Sequence, residues 1–311
     1  ILLVIIANKN TVASTGHVNT TRTYTIIVND ISTKLTKVFE EDMLRERDKL
    51  LKIDKNSSYV EVFSDYHEYD GSTYWLKTSR LNKRKLGTVY LPNEQKVQLI
   101  NTLNNFFASK KYYNEHGIPH NLKILLYGPP GSGKDSLVKA IASEWNRNLY
   151  YVTGGRNGKY IPNSLTDSVE LVNPLLLISD IDKYPFLTNE AIINLSNTDI
   201  KDEHLQYKQS FGNMINALDG ILSGEDKLII MTTNHPEQFS ETFLRPGRVD
   251  LSLNIDYMSP ETFRKYTYDF YGVDLPNNIE LKDDKLSVAK LNADVIFFKL
   301  DKDEFIKKYV K

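Results

Sequence analysis

The sequence contains no cysteine and no large charge of either sign, with 39 lysines and arginines against 40 aspartates and glutamates. Without cysteine, disulfides, cysteine-ligated zinc and thiol catalysis are excluded, and the composition fits a reducing compartment, so we expect a cytoplasmic protein. Without a net basic charge, no global field favours nucleic acid or an acidic membrane as a partner. These absences leave a globular protein whose function must be sought in local motifs.

Long apolar runs are also absent. The chain starts with ILLVIIA, seven apolar residues, whereas a helix that spans a membrane needs about 20. We interpret this stretch as a buried strand and expect no membrane segment in the sequence given. The alternative is the end of a membrane helix that begins before residue 1. No basic segment or small-residue cleavage site flanks the run, so no secretory signal is predicted.

The first 90 residues have the pattern of a small α+β domain. β-rich pieces such as TYTIIVND and SYVEVF are combined there with one helical stretch, from Lys34 to Leu51. The region ends in the basic run RLNKRK (80–85), which we interpret as a solvated segment near a domain boundary. Residues 1–90 are therefore predicted to form a domain without an obvious site.

From residue 91 the pattern changes to short apolar runs separated by amphipathic segments. The runs are continuously apolar, as expected for parallel strands that helices cover on both faces. Residues 91–257 are thus predicted to form an α/β domain with a five-stranded parallel sheet between helices. Residues 258–311 show only helical patterns and predict a small helical domain. The five runs are KILLYG (123–128), LYYVTG (149–154), PLLLISD (174–180), LIIMTTN (228–234) and LSLNID (251–256).

The stretch YGPPGSGKDSL (127–137) has the order strand, glycine-rich turn, helix that a nucleoside triphosphate site requires. In such a site, backbone N–H groups and the helix N-terminus face the phosphates, and the lysine reaches their outer oxygens. The alternative is a glycine-rich turn that binds nothing. The predicted ATP-binding residues are Gly128, Pro129, Pro130, Gly131, Ser132, Gly133, Lys134, Asp135 and Ser136.

Polar side chains follow two later apolar runs. Ser179, Asp180 and Asp182 follow PLLLI, and Asn234 follows LIIMTT. An aspartate at the end of a strand is often only a turn residue. Combined with the phosphate loop, however, these positions predict an edge that binds a metal ion, activates water and orients it near the terminal phosphate.

Two arginines, Arg245 and Arg248, flank a Pro-Gly turn in LRPGRVD. Guanidinium groups held on a short loop can reach the phosphates bound to a neighbouring subunit and stabilise the charge that develops there. The alternative is that they pair with carboxylates on the same surface.

Taken together, these motifs resemble the AAA ATPases. The resemblance rests on GIPHNLKILLYGPPGSGK, LLLISDID, NALDG, IIMTTNHPEQF and LRPGRVD, and it is greatest to the branch that contains the mitochondrial Rieske iron-sulfur protein translocase. It implies an α/β core with a helical lid, and an N-terminal domain like the middle domain of that branch. It also implies a hexameric or heptameric ring that holds ATP and Mg²⁺ between subunits and acts on a protein. Matched by position, Ile118 lies near the adenine and Asn234 is the sensor, while Asp180, Arg245 and Arg248 are catalytic.

Two positions depart from the family pattern. Asp135 stands where the family has Ser or Thr, and Ser179 stands where it has an acidic residue. An uncompensated carboxylate about 4 Å from a phosphate oxygen costs about 4 kcal/mol at an effective dielectric constant near 20. Our hypothesis is therefore an exchange of ligands, with Asp135, Ser179 and Asp180 around the same magnesium ion. The alternative is a site that holds nucleotide but turns it over slowly or not at all.

A further resemblance concerns the segment TGGRNGKYIPNS. Lys159, Tyr160 and Ile161 are similar to the basic-aromatic-aliphatic triplet with which chain-threading rings grip their substrate. The alternative is a glycine-rich surface turn. Two functions therefore remain open: an ATP-driven machine that remodels or translocates protein, and an assembly or switch ring with little turnover. Nucleic acid is not expected as a partner.

Overall fold

The computed structural model describes residues 3–14, 17–28, 58–67, 73–154, 161–166, 171–188, 201–219 and 225–311. The chain forms two compact units, Ile1–Lys55 and Asn56–Lys311. In the first unit, strand β1 (Leu3–Ser14) pairs antiparallel with β2 (His17–Val28). The apolar start of the sequence thus lies in a strand, as predicted. The helix predicted between Lys34 and Leu51 lies outside the described residues.

The second unit is built on a seven-stranded sheet with the order β4-β3-β6-β7-β8-β5-β9. Every neighbouring pair is parallel except β3 and β4. The α/β prediction is confirmed, and the five predicted runs form five adjacent parallel strands. The strands are β3 (Tyr59–His67), β4 (Thr73–Asn82), β5 (Asn121–Tyr127), β6 (Asn148–Tyr151), β7 (Pro174–Ile178), β8 (Lys227–Thr233) and β9 (Leu251–Asn254).

Strands β3 and β4 extend this sheet upstream of residue 91, where the sequence analysis placed a separate domain. The exposure of β3 and β4 explains why these strands were not predicted to belong to the sheet. Burial alternates along β3, and much of β4 is exposed, since β4 lies at the edge. A strand covered on one face alternates in polarity and resembles an independent hairpin in sequence.

Helices cover both faces of the sheet. Neighbouring residues of a strand point to opposite faces of the sheet. Ile124 therefore packs in one core cluster with Leu137 and Ile141. Leu125 packs in the cluster on the other face, with Met214. Full burial of each such side chain contributes about 1.5–3 kcal/mol. The helices are α1 (Asn93–Ala108), α2 (Lys110–Glu115), α3 (Lys134–Glu144), α4 (Ile161–Thr166), α5 (Lys201–Asp219) and α6 (Glu241–Leu244).

The C-terminal part is helical, and its assignment as a lid domain stays a prediction. It contains α7 (Pro260–Tyr271), α8 (Val288–Asn292), a π-helical turn (Ala293–Phe297) and α9 (Lys302–Tyr309). Helix α7 begins at a capping box between Ser259 and Thr262 and ends at Gly272, which has a φ of 67°. No helix in the described part of the chain combines the length and the apolarity that a membrane crossing requires.

The sheet topology places the motifs at one edge. Tyr127, the last residue of β5, pairs with Thr233 at the end of β8, and Ile178, the last residue of β7, pairs with Met231. Since parallel strands end at the same side of a sheet, the phosphate loop, Ser179 and Asn234 all leave the sheet at this edge.

Candidate nucleotide-binding site

The phosphate loop has a backbone that only glycine adopts easily. Gly128, Gly131 and Gly133 have φ angles of 140°, 74° and 107°. A Cβ atom on Gly128 would lie 2.2 Å from the carbonyl oxygen of Ile255, so the loop passes closely over the segment after β9. Gly133 is also the N-cap of α3 and provides no capping side chain. The first N–H groups of this helix are therefore available to an anion.

Lys134 connects the loop to the end of β8. Its Nζ donates hydrogen bonds to the carbonyls of Gly128 and Pro129, at 2.8 and 3.0 Å, and to Oδ1 of Asn234 at 2.8 Å. Burial lowers the pKa of Lys134, and the nearby carboxylate of Asp135 opposes this shift. The structure thus brings together the lysine and the asparagine that the sequence assigned to one site.

Ser132 places a buried hydroxyl in the phosphate loop. Only 3% of this residue is exposed, and its Oγ has no hydrogen-bond partner in the described part of the protein. A buried hydroxyl without a partner is unfavourable, and a phosphate oxygen would satisfy it. The C-terminal helical part also reaches this loop, because the N–H of Ala289 donates to the carbonyl of Gly131 at 3.1 Å.

The residues that the sequence assigns to a magnesium ion provide oxygen donors, which is the ligand type that this ion takes. Asp135 is exposed in the first turn of α3, and Ser179 and Asp180 are half-buried just beyond β7. Among the described residues, no group of three or more His, Cys, Asp or Glu is placed to hold a metal. Magnesium does not need such a group, since one or two carboxylates, phosphates and water complete its shell.

The acidic residues after β7 have different partners. Asp180 has a left-handed backbone with φ of 50°, its N–H donates to Oγ1 of Thr232 at 3.0 Å, and its carboxylate lies 2.5 Å from Nζ of Lys183. Asp182 turns back to the end of β8. Its Oδ1 accepts hydrogen bonds from Oγ1 of Thr233 at 2.5 Å and from the N–H of Asn234 at 3.2 Å. The contacts of Asp182 could not be predicted from the sequence, since they depend on tertiary folding, whereas the ion pair of Asp180 with Lys183 is local.

The two arginines differ in their environment. Arg248 is buried and donates from Nε to Asp219 at 2.7 Å and from Nη1 to the carbonyl of Thr242 at 2.7 Å. Arg245 is exposed and donates to the same Asp219 oxygen at 3.2 Å. Burial raises the pKa of Asp219, but hydrogen bonds from Arg248 and Arg245 outweigh it, so this pKa lies below its usual value.

Two predicted positions lie apart from the phosphate loop. Ile118 precedes the seven-residue strand β5, whereas the phosphate loop follows it, and its predicted place near the adenine stays a prediction. Ile161 is fully buried in a core cluster, where it cannot grip a passing chain, which corrects its assignment to the gripping triplet. Lys159 and Tyr160 lie outside the described residues.

Lys83 and Arg84, which the sequence predicted to be solvated, instead contact residues of α3 and the residue Asn146 shortly after it. Nη1 of Arg84 donates at 3.2 Å to Oγ of Ser136, the second residue after Lys134. The backbone N–H of Arg84 donates to Oγ of Ser143 at 2.9 Å. Nζ of Lys83 donates to Oδ1 of Asn146 at 2.6 Å. The segment before residue 91 therefore supports the helix that carries the phosphate loop.

Comparison with known proteins gives a consistent assignment. Residues 124–257 match the family described as "ATPase family associated with various cellular activities (AAA)". The chain is 32% identical over 193 residues to the probable mitochondrial chaperone bcs1 of Schizosaccharomyces pombe, which covers 61% of this chain and 41% of that protein.

Two further relatives have similar names. The probable mitochondrial chaperone BCS1-B of Dictyostelium discoideum is 30% identical over 236 residues, covering 68% of this chain and 51% of the relative. The mitochondrial chaperone BCS1 of Homo sapiens is 30% identical over 205 residues, covering 64% and 46%. The chain thus spans about half the length of these relatives or less.

Proposed function

The chain belongs to the AAA ATPase family, and from this premise we propose that it is a nucleotide-dependent chaperone that assembles into a ring and hydrolyses ATP to remodel or translocate a protein. The main supporting observation is the junction of Lys134 with both the phosphate loop and Asn234. It joins the two parts of the molecule that must act on the same terminal phosphate. The chaperone names of the relatives support a protein as the substrate.

The residues of the site have distinct roles in this proposal. The N–H groups at the start of α3 and the hydroxyl of Ser132 bind phosphate oxygens, and Lys134 exchanges its loop carbonyls for phosphate. Asp180 accepts the proton of the attacking water, and Asn234 orients that water. Arg245, being exposed, reaches the nucleotide of a neighbouring subunit.

We further propose that Asp135, Ser179 and Asp180 would hold the magnesium ion. When bound, this ion supplies positive charge that neutralises the phosphates. Asp135 lies in the first turn of α3, where the helix dipole stabilises a negative side chain. Moving the carboxylate from position 179 to position 135 keeps the charge of the pocket unchanged. The exchange therefore preserves the ionic balance that ATP binding requires.

A second candidate function is a switch ring that binds nucleotide with little turnover. It is favoured by one observation, the 2.5 Å contact between the carboxylate of Asp180 and Nζ of Lys183. A carboxylate that activates water must leave this ion pair. Since Lys183 is exposed, the pair contributes less than about 1 kcal/mol, and we favour the hydrolytic function. Cytoplasmic location stays a prediction. It differs from the mitochondrial location that the names of these three relatives give for those proteins.

The test compares the wild-type protein with Lys134→Ala, and uses Lys139→Ala, on the same helix, as the control. Nucleotide affinity, phosphate release and oligomeric mass with and without ATP and Mg²⁺ are measured. We expect Lys134→Ala to weaken ATP binding at least about tenfold, equivalent to 1.4 kcal/mol, and Lys139→Ala to bind like wild type. ATP-dependent assembly without phosphate release would support the switch ring, and a wild-type protein that does not bind ATP would refute both functions.

A further inference from the structure

We propose that Asp182 is a positioning residue that holds Asn234 toward the terminal phosphate of the nucleotide. This inference rests on the proposed function, since it assigns a role within the same site. Asp182 does not contact the reacting atoms in our account. It acts through Asn234, whose backbone it binds and whose side chain reaches Lys134.

The first support is the geometry of the carboxylate. Asp182 lies in a 3₁₀ turn (Ile181–Lys183) after β7, and its Oδ1 receives two hydrogen bonds from consecutive residues of the neighbouring strand end. The donors are Oγ1 of Thr233 at 2.5 Å and the N–H of Asn234 at 3.2 Å. One oxygen atom thus fixes both residues, and hydrogen bonds to an ionised acceptor are about twice as strong as neutral ones.

The second support is the continuation of this arrangement on both sides. Oγ1 of Thr233 also accepts from the N–H of His235 at 2.9 Å, so the backbone around Asn234 is held before and after it. Thr233 is fully buried, which limits the access of water to its hydroxyl. On the other side, the amide oxygen of Asn234 lies 2.8 Å from Nζ of Lys134. Asp182 is therefore linked through Asn234 to the lysine of the phosphate loop.

The third support is the contrast with Asp180, two residues earlier. The carboxylate of Asp180 lies beside the exposed Lys183, whereas that of Asp182 points to the end of β8. Within one turn, therefore, the carboxylate of Asp180 can face water, whereas that of Asp182 binds groups of the protein. We expect the two residues to give different mutant behaviour.

The expected effect is a loss of discrimination between ATP and ADP. Only ATP has the terminal phosphate that Asn234 would face, so a displaced Asn234 weakens ATP binding and leaves ADP binding unchanged. Displacement of a polar group by about 1 Å can lower turnover about 100-fold. We expect Asp182→Ala to lower the ATP preference and the kcat at least about tenfold. Asp182→Asn should retain most of both, because its amide oxygen accepts the same two hydrogen bonds.

The experiment is a double-mutant cycle of Asp182→Ala with Asn234→Ala. The dissociation constants of ATP and ADP are measured by fluorescence of a labelled nucleotide, together with kcat and KM. If Asp182 acts through Asn234, the double variant is no worse than the worse single variant, since coupled residues do not give additive effects. Thr233→Val serves as a second variant if Asp182→Ala does not fold. It keeps the side-chain volume and removes one of the two donors, and a several-fold loss of ATP preference is expected.

The control is Asp301→Ala, because Asp301 also accepts backbone hydrogen bonds, from Asp303 and Glu304, but does so in the lid. Its nucleotide preference should equal that of wild type. The proposal would be overturned if the losses of ATP preference in Asp182→Ala and Asn234→Ala multiply in the double variant. It would also be overturned if the ATP preference is unchanged in Asp182→Ala and Thr233→Val. If the wild-type protein binds ATP but does not hydrolyse it, the hydrolytic function fails, and the binding preference still decides the role of Asp182.

Discussion

Arg248 donates a 2.7 Å hydrogen bond from Nε to the carboxylate of Asp219, and only 7% of its side chain is exposed. Arg245 bonds to the same oxygen but has 56% of its side chain exposed. We therefore predict that Arg248→Ala destabilises the protein by about 2 kcal/mol, because it removes the buried one of the two guanidinium partners of the Asp219 carboxylate. Arg245→Ala should change the free energy of unfolding by less than about 1 kcal/mol but should lower ATP turnover strongly.

Urea denaturation and phosphate release of both variants separate these two roles. Arg248→Lys is the matched variant, since it keeps the charge and loses the second donor. Equal stability losses in Arg245→Ala and Arg248→Ala would contradict the structural difference between the two arginines. Full turnover of Arg245→Ala in the assembled state would contradict the assignment of Arg245 to the neighbouring nucleotide.

A second prediction concerns acid stability and the buried carboxylate of Asp65. It accepts hydrogen bonds from the N–H and Oγ1 of Thr153, the N–H of Gly154 and Oγ of Ser164, so it joins β3 to the segments on both sides of residues 155–160. Burial raises the pKa of Asp65, but the hydrogen bonds from Ser164 and Thr153 outweigh it, and the pKa lies below the ordinary value of 3.8.

The sign of the pH effect follows from this shift. The unfolded chain binds the proton at a higher pH than the folded chain, so acid favours unfolding. The contribution of Asp65 is fully present above its unfolded pKa of 3.8 and is lost as the pH falls through its lower folded pKa. Asp65→Asn should destabilise the protein at pH 7 by about 1–3 kcal/mol, and the difference from wild type should shrink below about pH 4.

Urea midpoints of both proteins between pH 7 and pH 3 test this prediction. His67, whose Nε2 lies 3.0 Å from Asp65, also contacts this carboxylate, so the comparison is repeated in His67→Gln. A difference between wild type and Asp65→Asn that stays constant down to pH 3 would show that the carboxylate does not contribute as described.

A third prediction compares two glycines. Gly128→Ala should abolish tight nucleotide binding, because the new Cβ would lie 2.2 Å from a backbone oxygen and displace the phosphate loop. Gly212 lies within α5, and a Cβ there meets nothing within 4 Å. Gly212→Ala should stabilise the protein by about 0.5–1 kcal/mol and leave binding unchanged. Thermal unfolding and ATP titration of both variants suffice, and a Gly128→Ala protein with wild-type affinity would refute this view of the loop.

Much of the fold could be predicted from the sequence, because continuous apolar runs are typical of strands covered on both faces. The positions of Lys134 and Asn234 at one edge followed from the parallel arrangement of these strands. The edge strands β3 and β4 were missed as parts of this sheet because alternating polarity is equally typical of a separate hairpin. The partners of Asp182 and Asp219, and the donors to Asp65 from residues 153–164, could not be predicted, since these bonds join residues that are distant in sequence.

The placement of Ile118 and Ile161 shows a further limit of sequence patterns. Ile118 was assigned to the adenine by its matched position in the family resemblance, and β5 separates it from the phosphate loop, so its place near the adenine stays a prediction. Ile161 was assigned as part of a triplet, whereas an aliphatic residue that begins a short helix beside a sheet is readily buried in the core.

The central claim is that Asp135 and Ser179 have exchanged oxygen donors around one divalent cation. Its most direct test is the ATP turnover, with Mg²⁺, of Asp135→Thr, Ser179→Asp and the double variant. We predict that each single change lowers turnover at least about tenfold, since one leaves too little negative charge at the cation and the other too much, and that the double variant recovers most of it. Three variants with the same turnover, or a double variant no better than the worse single one, would contradict the claim.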